Sequence, residues 1–297
     1  RRNRACLHLA AGQAHGRSGL AARPFFRLTS HRVTIPMFID IHTHAYHPKI
    51  ADKVLAQLEG HYGIHPVGTG RMDNLLMQAK RAGLDRVVVH NAATAPAQVI
   101  PANNWAISIQ REYPEVLAFG TLHRDFPDFE QELDRLWNAG IRGIKFHADF
   151  QGFRLDDHKL WPIFEALSGR FVVMFHVGDR LPPEQNNSCP AKLAAILRDF
   201  PDLTAIAAHM GGYLHWQYAL EHLVGKNVYI DTSSTLAFID DDTLRRIFDG
   251  HPRERILFGS DYPLFDPGEE IVRLQRRLSL RDAELEQILS AGSALFR

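Results

Sequence analysis

Cysteine is almost absent from this chain: Cys6 and Cys189 are the only two among 297 residues. One lies in an unusual N-terminal segment and the other in a Pro-flanked loop, so neither a disulfide framework nor a thiolate zinc site is built from them. That usage fits a reducing compartment, and a cytoplasmic location is expected. No apolar run approaches the roughly 18 residues that a membrane-crossing helix needs. Acidic side chains are missing from residues 1–36, which hold seven Arg and no Lys, Asp or Glu. The rest of the chain carries 27 basic against 34 acidic side chains, and such an acidic body argues against nucleic acid as partner. The expected partner is a small molecule, with a homodimer left open. The Arg-rich leader has the composition of an organelle transit peptide, or else reflects a start placed upstream of Met37. On both readings residues 1–36 stand outside the fold, residues 37–297 form one domain, and import into an organelle follows only from the first.

What the chain does hold is an ordinary globular mixture, 45% hydrophobic and 23% charged. Short Val-, Ile- and Phe-rich runs alternate with segments of helical period. The runs are Phe38–His42, Arg86–His90, Val116–Leu122, Arg142–His147, Phe171–His176, Leu203–His209, Asn227–Asp231 and Arg255–Asp261. Between them, Asp128–Asn138 places Phe129, Leu133, Leu136 and Trp137 on one helical face, and Pro190–Phe200 opens with Pro at a tolerated first-turn position. Ser279 with Asp282 suggests the capped start of the final helix, and Asp240–Asp242 another helix start. Eight β-then-α units in about 260 residues fit the size and count of a (β/α)8 TIM barrel. A doubly wound open sheet is the alternative.

The ends of these runs carry the chemistry. Five close on His (His42, His90, His147, His176, His209), with His44 just past the first, and two close on Asp231 and Asp261. In a parallel barrel the C-terminal strand ends converge on one mouth, where active sites of this fold sit. Period-two alternation puts Asp40, His42 and His44 on one face of the first strand, and Lys145 with His147 on one face of the fourth. Three ionisable groups on one barrel face cost several kcal/mol to desolvate unless they are paired or bound to a cation. His42, His44, His176 and Asp261 make a nitrogen-rich, oxygen-containing set for one divalent ion, zinc first, with manganese, iron or cobalt also suited. His209 is then placed to act as general acid or base, and Asp261 to share that work.

Six stretches, "FIDIHTH", "GIKFHADFQGFRLDDHKLWPIFEAL", "FVVMFHVGD", "PDLTAIAAHMGG", "NVYIDTSS" and "RILFGSDYPL", together resemble the amidohydrolase-related family of metal-dependent TIM-barrel hydrolases. The resemblance runs in order over about residues 37–297. It implies that His42 and His44 match the first-strand metal ligands and His176 the fifth-strand ligand. It matches His209 to the sixth-strand catalytic histidine and Asp261 to the aspartate that touches metal and reacting water. The chain departs from the family pattern at Ala148, where a Pro is usual, and in "SAGSALF" near the end. Some relatives bridge two metals with a carboxylated lysine on the fourth strand, where Lys145 stands, but this branch resembles one-metal enzymes.

Hydrolysis of a small amide, lactone or ester is the first expectation. Non-oxidative decarboxylation of a small unsaturated or aromatic carboxylate is the alternative, because the resemblance includes aminocarboxymuconate-semialdehyde decarboxylase. A non-catalytic metal-binding barrel is a lesser one. His147, Lys145 and Arg180 are candidate substrate contacts, with Arg154 a second carboxylate grip. His90 is expected to be a hydrogen-bonded structural histidine. The long connection Ala45–Thr69, with His47, His61 and His65, is expected to be solvated loop or a lid.

Overall fold

The computed structural model describes residues 36–296; the leader assignment, and Cys6 with it, lie outside the described residues. Eight parallel strands run β1 (Ile39–Thr43), β2 (Arg86–Val89), β3 (Val116–Thr121), β4 (Gly143–Phe146), β5 (Val172–Phe175), β6 (Thr204–Ala207), β7 (Tyr229–Asp231) and β8 (Ile256–Leu257). They pair strictly in sequence order. The ring closes where Ile41 N–H donates to Phe258 O at 2.9 Å and Asp261 N–H to His42 O at 2.9 Å. This is the (β/α)8 barrel, not the open sheet, since an open doubly wound sheet reverses its strand order partway.

Two apolar layers form. Val87, Val89, Ile144, Phe146, Val173, Phe175, Ala205 and Ala207 face the surrounding helices. Ile39, Ile41, Val88, Phe119, Val172, Met174, Ile206 and Leu257 fill the barrel interior. The turn Gly292–Phe296 seals the interior: Phe296 meets Phe119 at a ring distance of 5.8 Å. A side chain on Gly292 would come within 3.0 Å of Ile39 Cγ2 and 3.4 Å of Ile41 Cδ1. The atypical "SAGSALF" segment is therefore an internal plug.

The first strand corrects the alternation argument. Asp40 pairs with Val87 and Thr43 with Val89, so three steps on β1 oppose two on β2. That extra residue is a bulge, which turns two successive side chains to one side. Ile39 and Ile41 point into the barrel, and so do His42 and His44; Asp40 does not share their face. Its Oδ1 instead accepts from the backbone N–H groups of Ser260 and His42, and burial pushes its carboxyl up to about 7.

Helices follow the expected faces, with Phe129–Asn138 and Pro190–Asp199 as read and Asp240 capping Asp241–Gly250 through Thr243 N–H. Ser279 does not start the last helix. It closes Pro267–Leu278 in the left-handed conformation, and Arg281 with Glu284 caps Asp282–Ala291. The connection after β1 is not all loop, since Ala51–Tyr62 is helical.

Glu270, 1% exposed in the first turn of Pro267–Leu278, has only Arg273 Nε at 3.3 Å. Burial raises its carboxyl from 4.5 to about 7, with Arg273 opposing and Asp261 reinforcing. A raised carboxyl pKa means that the folded state holds the proton longer, so stability falls as pH climbs from 4.5 through 7. Glu270→Gln should remove that part of the slope, by up to about 3 kcal/mol between pH 5 and pH 8 in urea titrations. Parallel pH profiles for the two proteins would refute it.

Candidate metal centre and active site

The histidines and aspartates of the barrel mouth sit at or near the strands' C-terminal ends, where the sheet stops and side chains turn into the mouth. Asp231, the last residue of β7, is the hub. Its Oδ2 accepts from His42 Nδ1–H at 2.9 Å, and its Oδ1 accepts from the backbone N–H of His209 at 3.1 Å and of Ser233 at 3.0 Å. The Ser233 hydroxyl donates to it as well. Burial pushes Asp231 up, but the His42 contact outweighs it and holds the carboxyl at about 2. His42 itself is lowered to about 4 by burial against the pull of Asp231, so the pair at neutral pH is carboxylate and neutral imidazole. Gly259 is required beside it, because a Cβ there would stand 2.7 Å from His42 Cβ.

His44 is oriented in the same manner, its Nδ1–H donating to His90 O at 2.7 Å. Both rings thus keep a bare Nε2, and both Nε2 atoms stand against Asp261 Oδ1, at 3.4 Å for His42 and 3.2 Å for His44. Donors bound to one ion at 2.0–2.2 Å lie about 3.0–3.4 Å from one another. Ligand histidines typically give their other N–H to a carboxylate or carbonyl. The donor chemistry therefore fits a divalent ion, and among the described residues His42, His209 and Asp261 form one group with donor atoms within 4.8 Å. Asp261 stays ionised: burial would raise it, but His42, His44 and His209 hold it well below the usual carboxylate range. The Ser234 hydroxyl donates to its other oxygen.

His209 and Asp261 both adopt left-handed backbone, φ 63° in each, a conformation uncommon outside glycine and concentrated at functional sites. His209 Nδ1–H donates to Ser233 O at 3.0 Å, which leaves Nε2 facing His176 Nδ1 at 2.9 Å. The network assigns one proton to that axis, carried by His176 Nδ1. Burial lowers both imidazoles. His176 therefore meets the other donors through His209, and its Nε2 has no hydrogen-bond partner.

His147 stacks on His176 with centroids 3.7 Å apart and planes 9° from parallel. With Asp149 these rings form another cluster of donor atoms, but in-plane lone pairs on stacked rings cannot converge on one ion, so no second metal site arises there. Tyr62 roofs this side: its hydroxyl lies 3.2 Å from His147 Nε2, and its ring stands 5.7 Å from Tyr213 and 5.9 Å from Phe150. His61 reaches Asp179 Oδ1 at 3.2 Å, so part of the connection after β1 is a cover over the mouth. His47 is a bystander against Trp105, and His65 pairs at the surface with Glu59.

Lys145 is 1% exposed with no hydrogen-bond partner for Nζ among the described residues. Burial lowers it to about 8 against the pull of Asp231 and Asp261, so it remains largely an ammonium at pH 7. Arg180 is exposed and donates to His61 O, and Arg154 is engaged by Asp156 at the surface, so neither is free to grip a carboxylate as expected. Asp231 and Ser233 were not among the candidate site residues; the one sequence signal was that Asp231 ends its strand as the histidines do. Among the described residues His90 is not hydrogen-bonded through its side chain, contrary to expectation, since both ring nitrogens are buried without partners there.

A family model described as Amidohydrolase matches residues 39–291, and the chain belongs to that family. Among solved structures, it is similar to 5-carboxyvanillate decarboxylase from Sphingomonas paucimobilis, with TM-score 0.64, 14% identity, and coverage of 88% of this chain and 99% of that one. A dihydroxybenzoic acid decarboxylase from Polaromonas, with bound manganese and the inhibitor 2-nitroresorcinol, gives TM-score 0.62, 15% identity, and coverage of 88% and 97%. A candidate 2-pyrone-4,6-dicarboxylic acid hydrolase from Pseudomonas putida gives 0.63, 18%, 88% and 98%. At such identities the likeness is one of fold. No helix among the described residues is long and apolar enough to cross a membrane.

Proposed function

We propose that residues 37–297 form a metal-dependent, non-oxidative decarboxylase of a small aromatic carboxylate. The observation that carries this reading is a hydrogen-bonded imidazole pair, His176 and His209, set beside the His42, His44 and Asp261 donors under a wall of Tyr62, Phe150 and Tyr213. Decarboxylation breaks a C–CO2 bond and forms a C–H bond at the same carbon, so one proton must enter as carbon dioxide leaves. His209 meets that requirement when its Nε2 takes up a proton from water and passes it to the carbon as carbon dioxide leaves.

His42, His44 and Asp261 would hold the ion, which when bound supplies positive charge to orient an anionic substrate and stabilise developing charge, while His176, bonded to His209, stands outside that set. Imidazole with carboxylate suits manganese as well as zinc, and manganese accompanies the Polaromonas decarboxylase. His209 moves the proton at Nε2. The Lys145 ammonium, buried and unpaired, attracts the substrate's carboxylate. Tyr62, Phe150 and Tyr213 wall the space in which the aromatic ring would lie, and Tyr62 excludes water.

The neighbours named as decarboxylases favour this reading over the hydrolysis that the sequence put first. Hydrolysis ranks second on one observation: Asp261 is kept ionised beside His209, which suits it to take a proton from water. The two separate by product. Metal-loaded protein offered hydroxybenzoates should release carbon dioxide without forming a new acid group, whereas lactone or ester opening without carbon dioxide would establish the hydrolase. His209→Gln should lower kcat about 10²–10⁴-fold with metal content intact; a smaller loss would remove His209 from the chemistry.

A further inference from the structure

His90 stands just past β2, 1% exposed, with neither Nδ1 nor Nε2 bonded to anything among the described residues. A buried polar group left without a partner costs about 1–3 kcal/mol, and here two ring nitrogens share the condition. The ring packs edge-on against two others: centroids lie 4.5 Å from His42 and 4.7 Å from His44, with interplanar angles of 70° and 87°. His42 and His44 are themselves 5.2 Å apart at 73°.

Those separations have a simple reading. An imidazole bound through nitrogen at 2.0–2.1 Å has its centroid about 3.2 Å from the ion, so two rings at 90° to 110° around it have centroids about 4.5–5.2 Å apart. All three pairs fall in that range, as do His42 with His209 at 5.0 Å and His176 with His209 at 4.6 Å, so the spacing permits a shared ion and the unbonded nitrogens single out His90. One ring nitrogen from each of His42, His44 and His90 also lies within 4.8 Å of the others.

We propose that His90 is a direct ligand of the ion held by His42, His44 and Asp261. The assignment rests on the metal-dependent reading above. A substrate contact fits the surroundings less well. The ring's neighbours are His42, His44 and Phe119, and Phe119 belongs to the apolar interior, so His90 occupies the deep side of the site, away from Tyr62 and Phe150. The residue then acts twice, because its carbonyl already orients His44. That second role belongs to the backbone and survives replacement of the side chain.

The test is a titration of the metal-free full chain with Co2+, followed by visible absorption and calorimetry. Wild type should bind one ion. Removing an outer partner of a ligand costs 10–100-fold in affinity, so His90→Gln and His90→Ala, which remove a ligand, should weaken binding by about 100-fold or more and shift the visible bands. His90→Cys should recover most of the affinity and add a thiolate-to-cobalt near-ultraviolet band absent from wild type. This gain of signal holds even if His90→Ala folds poorly. Unchanged affinity and spectrum in the Gln variant, with no new band in the Cys variant, would overturn the ligand role and leave the metal reading standing. Failure of wild type to bind Co2+ would overturn both.

Discussion

Asp261→Asn should lose about 10²–10⁴-fold in kcat and most of its bound metal. The change keeps the shape and removes the charge. Asp261 Oδ1 is the atom that both His42 Nε2 and His44 Nε2 face, so a neutral amide there weakens the ion's attachment and withdraws a proton acceptor from beside His209. It also leaves the buried Lys145 ammonium with Asp231 as its remaining named counter-charge, and unmatched buried charge is expensive. Steady-state kinetics with metal analysis on the same preparation checks this. A variant with full metal content and activity within about threefold of wild type would dismantle the site.

The largest expected loss of stability lies elsewhere, at Gly178→Ala. Gly178 follows β5 with φ 76°, and a Cβ there would lie 2.4 Å from Tyr213 O and 2.7 Å from Tyr213 N. These are backbone atoms, fixed because Tyr213 N–H donates to Val177 O at 2.7 Å. Left-handed backbone costs an alanine about 1–2 kcal/mol, and forced overpacking adds about 1–3. The sum, about 2–5 kcal/mol, corresponds to a drop of about 5–15 °C in Tm for a domain of this size. A thermal melt within about 2 °C of wild type would mean that the β5 and β6 loops are looser than they look.

Much of this was legible in the chain. Eight apolar runs became eight strands, because short Val- and Ile-rich segments between helical ones have few other solutions. The strand-end histidines were found because convergence at one barrel mouth follows from topology alone. What escaped reading depends on distant pairs. The bulge on β1 exists only in its register with β2. Asp231 was not picked out as a site residue because its partner His42 is 189 residues away. Tyr62 became a roof through His61 meeting Asp179, 118 residues on. His90 was misjudged because the absence of a hydrogen bond leaves no trace in sequence. Ser279 resembled a cap by composition, but the Arg281 and Glu284 pair lay nearer the helix start.

The bulge on β1 also bears on anyone transplanting this motif. In a regular strand, Ile41 and His42 would face opposite ways, and a grafted "IDIHTH" would have to expel either its apolar residues or its imidazoles from the host barrel. Here the surplus residue lets Ile41 fill the interior while His42, its immediate neighbour, enters the site. The portable unit is therefore the pair of strands with their mismatched spacing, and a recipient scaffold built on ideal, unbulged pairing would reject it.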